Sequence, residues 1–155
     1  MSGLAVSRLR QERKNFRKDH PVGFFARPSR NADGSTNMLK WNCGVPGKAG
    51  TIWAGGTYKV DLEFTEDFPS TPPIARFKPV IYHPNVYGSG KVCLSIIDPS
   101  KTWNAAITIK QILIGVQELL DNPNDSDAAQ TTCYSTNRSA YDAKVREQAK
   151  RFPPP

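Results

Sequence analysis

Disulfide pairs, metal-ligand spacings and a membrane-length apolar run are all missing from this 155-residue sequence. Its three cysteines, Cys43, Cys93 and Cys133, are an odd number standing far apart. Neither a disulfide framework nor a metal site is therefore expected, and a reducing compartment is. No stretch approaches the roughly 20 apolar residues that a helix needs to span a bilayer. Met1-Ser2-Gly3-Leu4 lacks an apolar signal core and has no Gly at position two. Neither secretion nor myristoylation is expected, which leaves nucleus and cytoplasm. Histidine is scarce, with only His20 and His83. A cysteine hydrolase or peroxidase-like enzyme wants a nearby imidazole to draw off the thiol proton, so this scarcity counts against those classes.

Charge is present but unevenly placed. The net +7 includes +4 from residues 1–20 alone, where Arg8, Arg10, Arg13, Lys14, Arg17 and Lys18 face only Glu12 and Asp19. Ala5, Leu9, Glu12 with Arg13, and Phe16 recur near helical spacing, so an Ala5/Leu9/Phe16 stripe should dock inward while Arg10, Lys14 and Arg17 line the outside. Such a face is either solvated surface or a dock for an acidic partner. No nucleic-acid motif or interleaved aromatic platform accompanies it, so direct nucleic-acid binding is not expected.

The remainder reads as α+β: an N-terminal helix, a four-stranded antiparallel meander, a loop around Cys93, then central and C-terminal helices, in a single domain over 1–155 without repeats. At this length one domain buries roughly 70% of its unfolded surface. Thr57 to Phe64 alternates polar and apolar at each step, as a strand with one wet face does. Phe24 to Arg27, Leu39 to Val45 and Ile74 to Phe77 are the other strands, joined by turns such as Ala32-Asp33-Gly34 and Ala54-Gly55-Gly56. Thr108 and Gln111 form a capping box that opens a helix with Ile112, Leu113, Val116, Leu119 and Leu120 as its stripe. Further helices are expected over Asp127 to Ser135 and Ser139 to Phe152, the latter with Tyr141, Val145 and Ala149 inward. Pro153-Pro154-Pro155 should be an extended tail.

Cys93 is the residue to explain. Between Val92 and Leu94 a cysteine reads as a small core residue, yet it follows His83-Pro84-Asn85 and the turn Tyr87-Gly88-Ser89-Gly90, and Trp103 lies ten residues on. Those flanks resemble the signature of the ubiquitin-like conjugating enzymes, which carry a ubiquitin-like protein as a cysteine thioester. Phe68-Pro69-Ser70-Thr71-Pro72-Pro73 is similar to the family's aromatic-Pro-x-x-Pro-Pro turn, Trp103 with Ala106 to its tryptophan segment, and Thr108 to Leu120 to its central helix. Arg17-Lys18-Asp19-His20-Pro21, Pro46-Gly47-Lys48, Ser95 and the loop Asp98 to Thr102 resemble its SUMO-conjugating branch, whereas ubiquitin carriers typically have Asp at the place of Ser95 and a shorter loop.

The resemblance implies an acyltransferase that accepts SUMO from an activating enzyme on Cys93 and passes it to substrate lysines. It implies no cofactor of its own, ATP being consumed by the activating enzyme. The partners implied are SUMO, bound both as thioester and noncovalently, the SUMO-activating enzyme, SUMO ligases and lysine-bearing proteins. Asn85 either donates to the developing oxyanion or orders the loop through backbone hydrogen bonds. Asp127 resembles the acid that orients the incoming lysine and also reads as a helix N-cap, and Tyr87 resembles the aromatic along the lysine stem and also reads as a turn-packing ring. Arg76, Ser89, Lys91, Ala128 and Gln130 are implied substrate contacts. Arg13, Lys14, Arg17, Lys18, His20 and Gly23 are implied contacts to the activating enzyme and a second SUMO. His83 within His-Pro-Asn reads as bonding backbone to hold the turn rather than as a base.

Departures from the family cluster near Cys93. Gly88, Ala105 and Ala128 stand where the branch usually has proline, which predicts looser loops. Ile74 replaces a customary lysine that reads the acidic residue of the acceptor motif, leaving Arg76 as the nearest cation and predicting weaker acidic selectivity. The stretch from Asp127 to Tyr141 is about one helical turn shorter than usual. A ubiquitin carrier and a binding scaffold without chemistry are the alternatives; Ser95 with the basic first helix argues against the former, and Cys93 in an intact signature against the latter.

Overall fold

Ala5, Leu9, Glu12 and Phe16 recur every three or four residues, and the helix they build, α1 (Leu4–Lys18), turns all four inward. The structure is a computed structural model that describes residues 3–155 except the side chain of Asp127. Strands β1 (Phe25–Arg30), β2 (Thr36–Pro46), β3 (Thr57–Glu63) and β4 (Ile74–Phe77) then pair in chain order. Every pairing is antiparallel. Alternation in β3 is as expected: Tyr58, Val60 and Leu62 are buried while Lys59 is exposed. Cys43 pairs with Val60 on one side and Ala26 on the other, deep in the sheet.

The first hairpin is longer than the sequence suggests, with β1 running to Arg30 and β2 starting at Thr36. Side-chain and backbone bonds close its turn: Asn31 N–H donates to Ser35 O at 2.8 Å and Ser35 N–H to Asp33 Oδ1 at 2.9 Å. Gly34 takes the positive φ of 87° that the turn requires. A bulge between Pro28 and Ser29 absorbs the register change, which hydropathy alternation alone does not reveal.

Helix α2 (Ile109–Asp121) lays Ile109, Ile112, Leu113, Val116 and Leu120 into the core, each burial contributing roughly 1.5–3 kcal/mol. Leu119, expected in that stripe, is only half-buried. The capping box forms, with Gln111 N–H donating to Thr108 Oγ1 at 3.1 Å and Thr108 N–H to Gln111 Oε1 at 2.9 Å. Glu12 reaches across from α1 to the same helix end, its Oε1 accepting from Ile109 N–H at 2.8 Å and its Oε2 from Arg8 Nε at 3.2 Å. Arg8 continues to Ala105 O at 2.6 Å and Ile107 O at 2.9 Å, so α1 is fastened to the segment that leads into α2.

Helix α3 (Arg138–Arg151) begins at an Asn137 cap and buries Tyr141, Val145, Gln148 and Ala149. It is tied to the sheet side by Thr57 N–H donating to Phe152 O at 2.7 Å and by Tyr82 N–H donating to Gln148 Oε1 at 2.7 Å. The helix expected over 127–135 is absent. Only a 3-10 turn, Asp125–Asp127, forms, and Asn124 rather than Asp127 caps it. Ala129 and Gln130 give their N–H groups to Pro84 O, at 2.6 and 3.3 Å, instead of to a preceding helical turn, and β-branched Thr131 and Thr132 follow.

Candidate active site

His83 begins the construction of the site. Burial pushes its imidazole down to about 4, so the ring is neutral at physiological pH. Its Nε2 lies 2.8 Å from Leu119 O and 3.2 Å from Leu120 O, while Nδ1 accepts from Asn85 N–H at 3.0 Å. Those partners assign the proton to Nε2. The imidazole is a bracket between the end of α2 and the next turn, the structural role expected of it.

Asn85 is fully buried and holds both backbone groups of Asn124: Nδ2 donates to Asn124 O at 2.7 Å, and Oδ1 accepts from Asn124 N–H at 2.8 Å. The loop-ordering contact is therefore present. Asn85 O in turn accepts from Cys93 N–H at 2.9 Å, so one residue sets both the 124 segment and the cysteine. Between them the chain folds as a narrow turn, with Tyr87 N–H donating to Lys91 O at 2.9 Å and Gly90 N–H to Tyr87 O at 2.8 Å. Gly90 has φ of 90°, and a Cβ there would lie 2.4 Å from Phe77 O, so only glycine fits where the turn docks on β4. Bridges Arg76 to Lys91 and Val86 to Val92 extend the sheet as far as Val92; Cys93 and Leu94 then lead into a 3-10 turn, Ser95–Ile97.

Cys93 is half-buried between two cavities of about 470 and 450 Å³. Tyr87, Leu94 and Asp98 border both. The first is closed by Lys101, Asn124, Ser126 and Ala128, and the second by Pro72, Pro73, Ile74 and Lys91. Asp98 had no assigned role in the sequence, yet it organises the long loop: its Oδ1 accepts from Ser100 Oγ at 2.7 Å and Ser100 N–H at 2.9 Å, which holds its carboxyl below the usual range. Thr102 Oγ1 closes the loop by donating to Ser95 O at 2.7 Å. A half-buried thiol in open cavities suits acyl exchange, which needs access and no dedicated base.

The other two cysteines sit elsewhere. Cys43 is buried in the sheet and its thiol is pushed far up by burial, with Asp61 adding to the effect, so it is inert. Cys133 Sγ lies 3.3 Å from the Tyr82 hydroxyl. Among the described residues no group of His, Cys, Asp and Glu is arranged to hold a metal, and no helix is long and apolar enough to cross a membrane.

Of the sequence-derived candidates, Cys93, Tyr87, Lys91 and Ala128 meet at these cavities. Tyr87 is exposed at the lip. The backbone of Asp127 closes its 3-10 turn, and its side chain lies outside the described residues. Ser89 stands at the turn tip, its Oγ accepting from Lys91 N–H at 3.4 Å. Gln130 braces the site from behind, its Nε2 donating to Ile81 O at 3.1 Å and Val86 O at 2.7 Å. Arg76 lies on β4 with its Nε 3.3 Å from Glu63 Oε2 and borders neither cavity, so its charge is compensated away from the thiol. Asn124 was not singled out by sequence; the Asn-Pro-Asn-Asp run at 122–125 was its turn signal.

The basic candidates lie on α1 and the turn after it. Lys14, Arg17, Lys18, His20 and Gly23 are exposed and Arg13 is half-buried. The His20 ring stacks on Phe16 at 4.9 Å, and Gly23 adopts φ of 88°. The proline-rich turn and the tryptophan segment also meet: Trp103 Nε1 donates to Pro69 O at 3.2 Å, and its ring lies 6.1 Å from Phe68.

The family profile described as ubiquitin-conjugating enzyme matches residues 8–149. A protein named "Sumo-conjugating enzyme ubc9" from Dictyostelium discoideum is 54% identical over 158 aligned residues, which cover 100% of this chain and 99% of that protein. One named "SUMO-conjugating enzyme UBC9" from Caenorhabditis elegans is 50% identical over 155, covering 98% and 93% respectively.

Proposed function

The chain belongs to the ubiquitin-conjugating enzyme family, and from that premise we infer that it is a SUMO-conjugating enzyme, a transferase that carries SUMO on Cys93 and delivers it to lysines. The observation that carries the residue assignment is the half-buried Cys93 thiol between two cavities, in a chain alike along its whole length to two SUMO-conjugating enzymes.

On this reading the Cys93 thiolate attacks the thioester carbonyl of SUMO held by the activating enzyme, and the activating enzyme's thiolate leaves. One thioester replaces another, so the step is nearly isoenergetic and needs no imidazole, consistent with the neutral bracket that His83 forms. A substrate lysine then attacks as the free amine. Its nitrogen forms the amide bond and gives up one proton to solvent, the carbon–sulfur bond breaks, and Cys93 is released as thiolate. An ordinary lysine has a pKa near ~10.4, so desolvation in the groove is what promotes the reactive amine. Asp127 and Tyr87 fill the roles of orienting the lysine head and packing its stem, and Asn85 adds a donor near the oxyanion to its positioning of Asn124. Arg13, Lys14, Arg17, Lys18, His20 and Gly23 form the surface for the activating enzyme and a second, noncovalent SUMO. ATP is consumed by that enzyme, and SUMO ligases complete the partner set.

The test is to incubate the protein with ATP and either the SUMO or the ubiquitin activating enzyme with its modifier. A thiol-reducible adduct with SUMO alone is expected, absent in Cys93→Ala and retained in Cys43→Ser and Cys133→Ser. Charging with ubiquitin but not SUMO overturns the assignment.

A further inference from the structure

Lys91 and Cys93 are two residues apart on an extended run whose middle residue, Val92, is buried, so their side chains share the opposite, accessible face. A strand rise of about 3.3 Å separates their Cα atoms by roughly 6.6 Å. The backbone is held in that form by the Arg76 and Val86 bridges, by Val92 N–H donating to Ala75 O at 2.9 Å and by Cys93 N–H donating to Asn85 O at 2.9 Å. Both side chains line the same cavity of about 450 Å³. Lys91 is exposed, and among the described residues no carboxylate lies within ion-pair distance of its ammonium. Asp98, across the cavity, is near enough to feel its charge. Arg76, one strand over, is paired with Glu63 instead. An amine on a flexible four-carbon stem thus stands beside the sulfur that, on the reading above, carries an activated acyl group.

We propose that Lys91 is an internal acceptor: an acyl group on Cys93 Sγ passes to Lys91 Nζ of the same molecule. The step rests on the carrier reading of Cys93 and is chemically the same aminolysis. Nζ, after losing one proton to solvent, attacks the thioester carbonyl; the carbon–nitrogen bond forms, the carbon–sulfur bond breaks, the thiolate of Cys93 returns, and the nitrogen gives a second proton to solvent as it becomes the amide N–H. Tethering makes the encounter unimolecular, so it competes whenever substrate lysines are scarce. The product keeps its cargo in an amide beside an emptied thiol with the cavity filled, which takes that molecule out of turnover.

The test uses the full chain and a small probe, a peptide α-thioester ending in Gly-Gly, which exchanges onto an accessible cysteine without any activating enzyme. Mass spectrometry should show first a thiol-labile adduct on Cys93. A thiol- and hydroxylamine-resistant adduct on Lys91 should follow, first-order and independent of protein concentration, and faster as pH rises. Lys91→Arg keeps the charge but presents no nucleophilic amine, and should lower the resistant fraction per thioester at least tenfold. Expressing it per thioester removes any change in loading. An unchanged fraction in Lys91→Arg, mapping to Lys101 or another lysine, or a rate proportional to protein concentration overturns the proposal. If no thiol-labile adduct forms on Cys93, the carrier reading itself falls, and this inference with it.

Discussion

The two ends of α2 are each gripped by a buried side chain from elsewhere in the chain, and the two grips differ in charge. At the N-terminus Glu12 accepts the Ile109 N–H as a member of a carboxylate–guanidinium pair. Negative charge there faces the positive end of the helix dipole, an arrangement that stabilises typically by about 0.3–1 kcal/mol. At the C-terminus a cation would be the electrostatic choice, yet His83 is neutral because burial outweighs the carbonyls it meets. Neutrality leaves Nδ1 able to accept from Asn85, which an imidazolium could not do. One end is therefore built to hold two helices together, and the other to transmit the helix position through His83 and Asn85 to Cys93.

The largest test of that contrast is Asn85→Ala. Discharge of a preformed Cys93 thioester to free lysine is expected to slow by about 10²–10³, the size of one lost oxyanion donor, with loading reduced far less in single-turnover assays. Equal losses in both steps would restrict Asn85 to shaping the loop.

Acid should act at the same end. The folded His83 pKa, about 4, lies below the ordinary 6.5, so the unfolded chain takes up the proton first. The stabilisation is complete above about pH 6.5 and declines as pH falls toward 4, by about 3 kcal/mol in all. Denaturant midpoints measured across that range should show the decline, and His83→Gln should remove this component of it.

At the opposite end, Glu12→Ala leaves the Ile109 N–H and Arg8 without their carboxylate. A loss of about 2 kcal/mol in unfolding free energy is expected. Discharge of the preformed thioester should not change, and a large discharge defect would erase the distinction between the two ends.

The smallest effect belongs outside both grips. Arg13→Glu with Lys14→Glu on α1 should slow loading by the activating enzyme severalfold at low salt without moving the Ala5/Leu9/Phe16 stripe. The gap should narrow as the Debye length falls from ~10 Å at 0.1 M to ~3 Å at 1 M. A gap indifferent to salt points to short-range docking contacts instead.

Local rules made much of this legible in advance. The α1 stripe, the β3 alternation and the Thr108/Gln111 box each follow from a short period or a fixed offset, and each forms as read. Contacts between distant segments were not readable in that way. Glu12 looks like a surface acid on a basic helix until Ile109, 97 residues later, is seen to need an acceptor. His83 was rightly read as bonding backbone, but its partners are α2 carbonyls that no local pattern names. The missing helix at 127–135 has the same origin: Pro84 O captured two N–H groups that helix propensity had assigned locally. At the site, the residue types around Cys93 were legible, whereas the clamp on Asn124 and the double exposure of Asp98 depend on how three loops converge.

Cys43 gives the sheet a built-in clock. Its thiol is buried in the core on β2, so a thiol-specific dye can reach it only when the packing around the sheet opens, whereas the half-buried Cys93 borders two cavities and is accessible to the same dye from the start. In a Cys133→Ser background the two labelling phases should separate widely. The slow one, divided by the rate for an unprotected thiol, reads the opening equilibrium of the sheet in native buffer. Chemistry at one cysteine and the integrity of its scaffold at another can thus be timed in one sample, without denaturant and without an introduced probe.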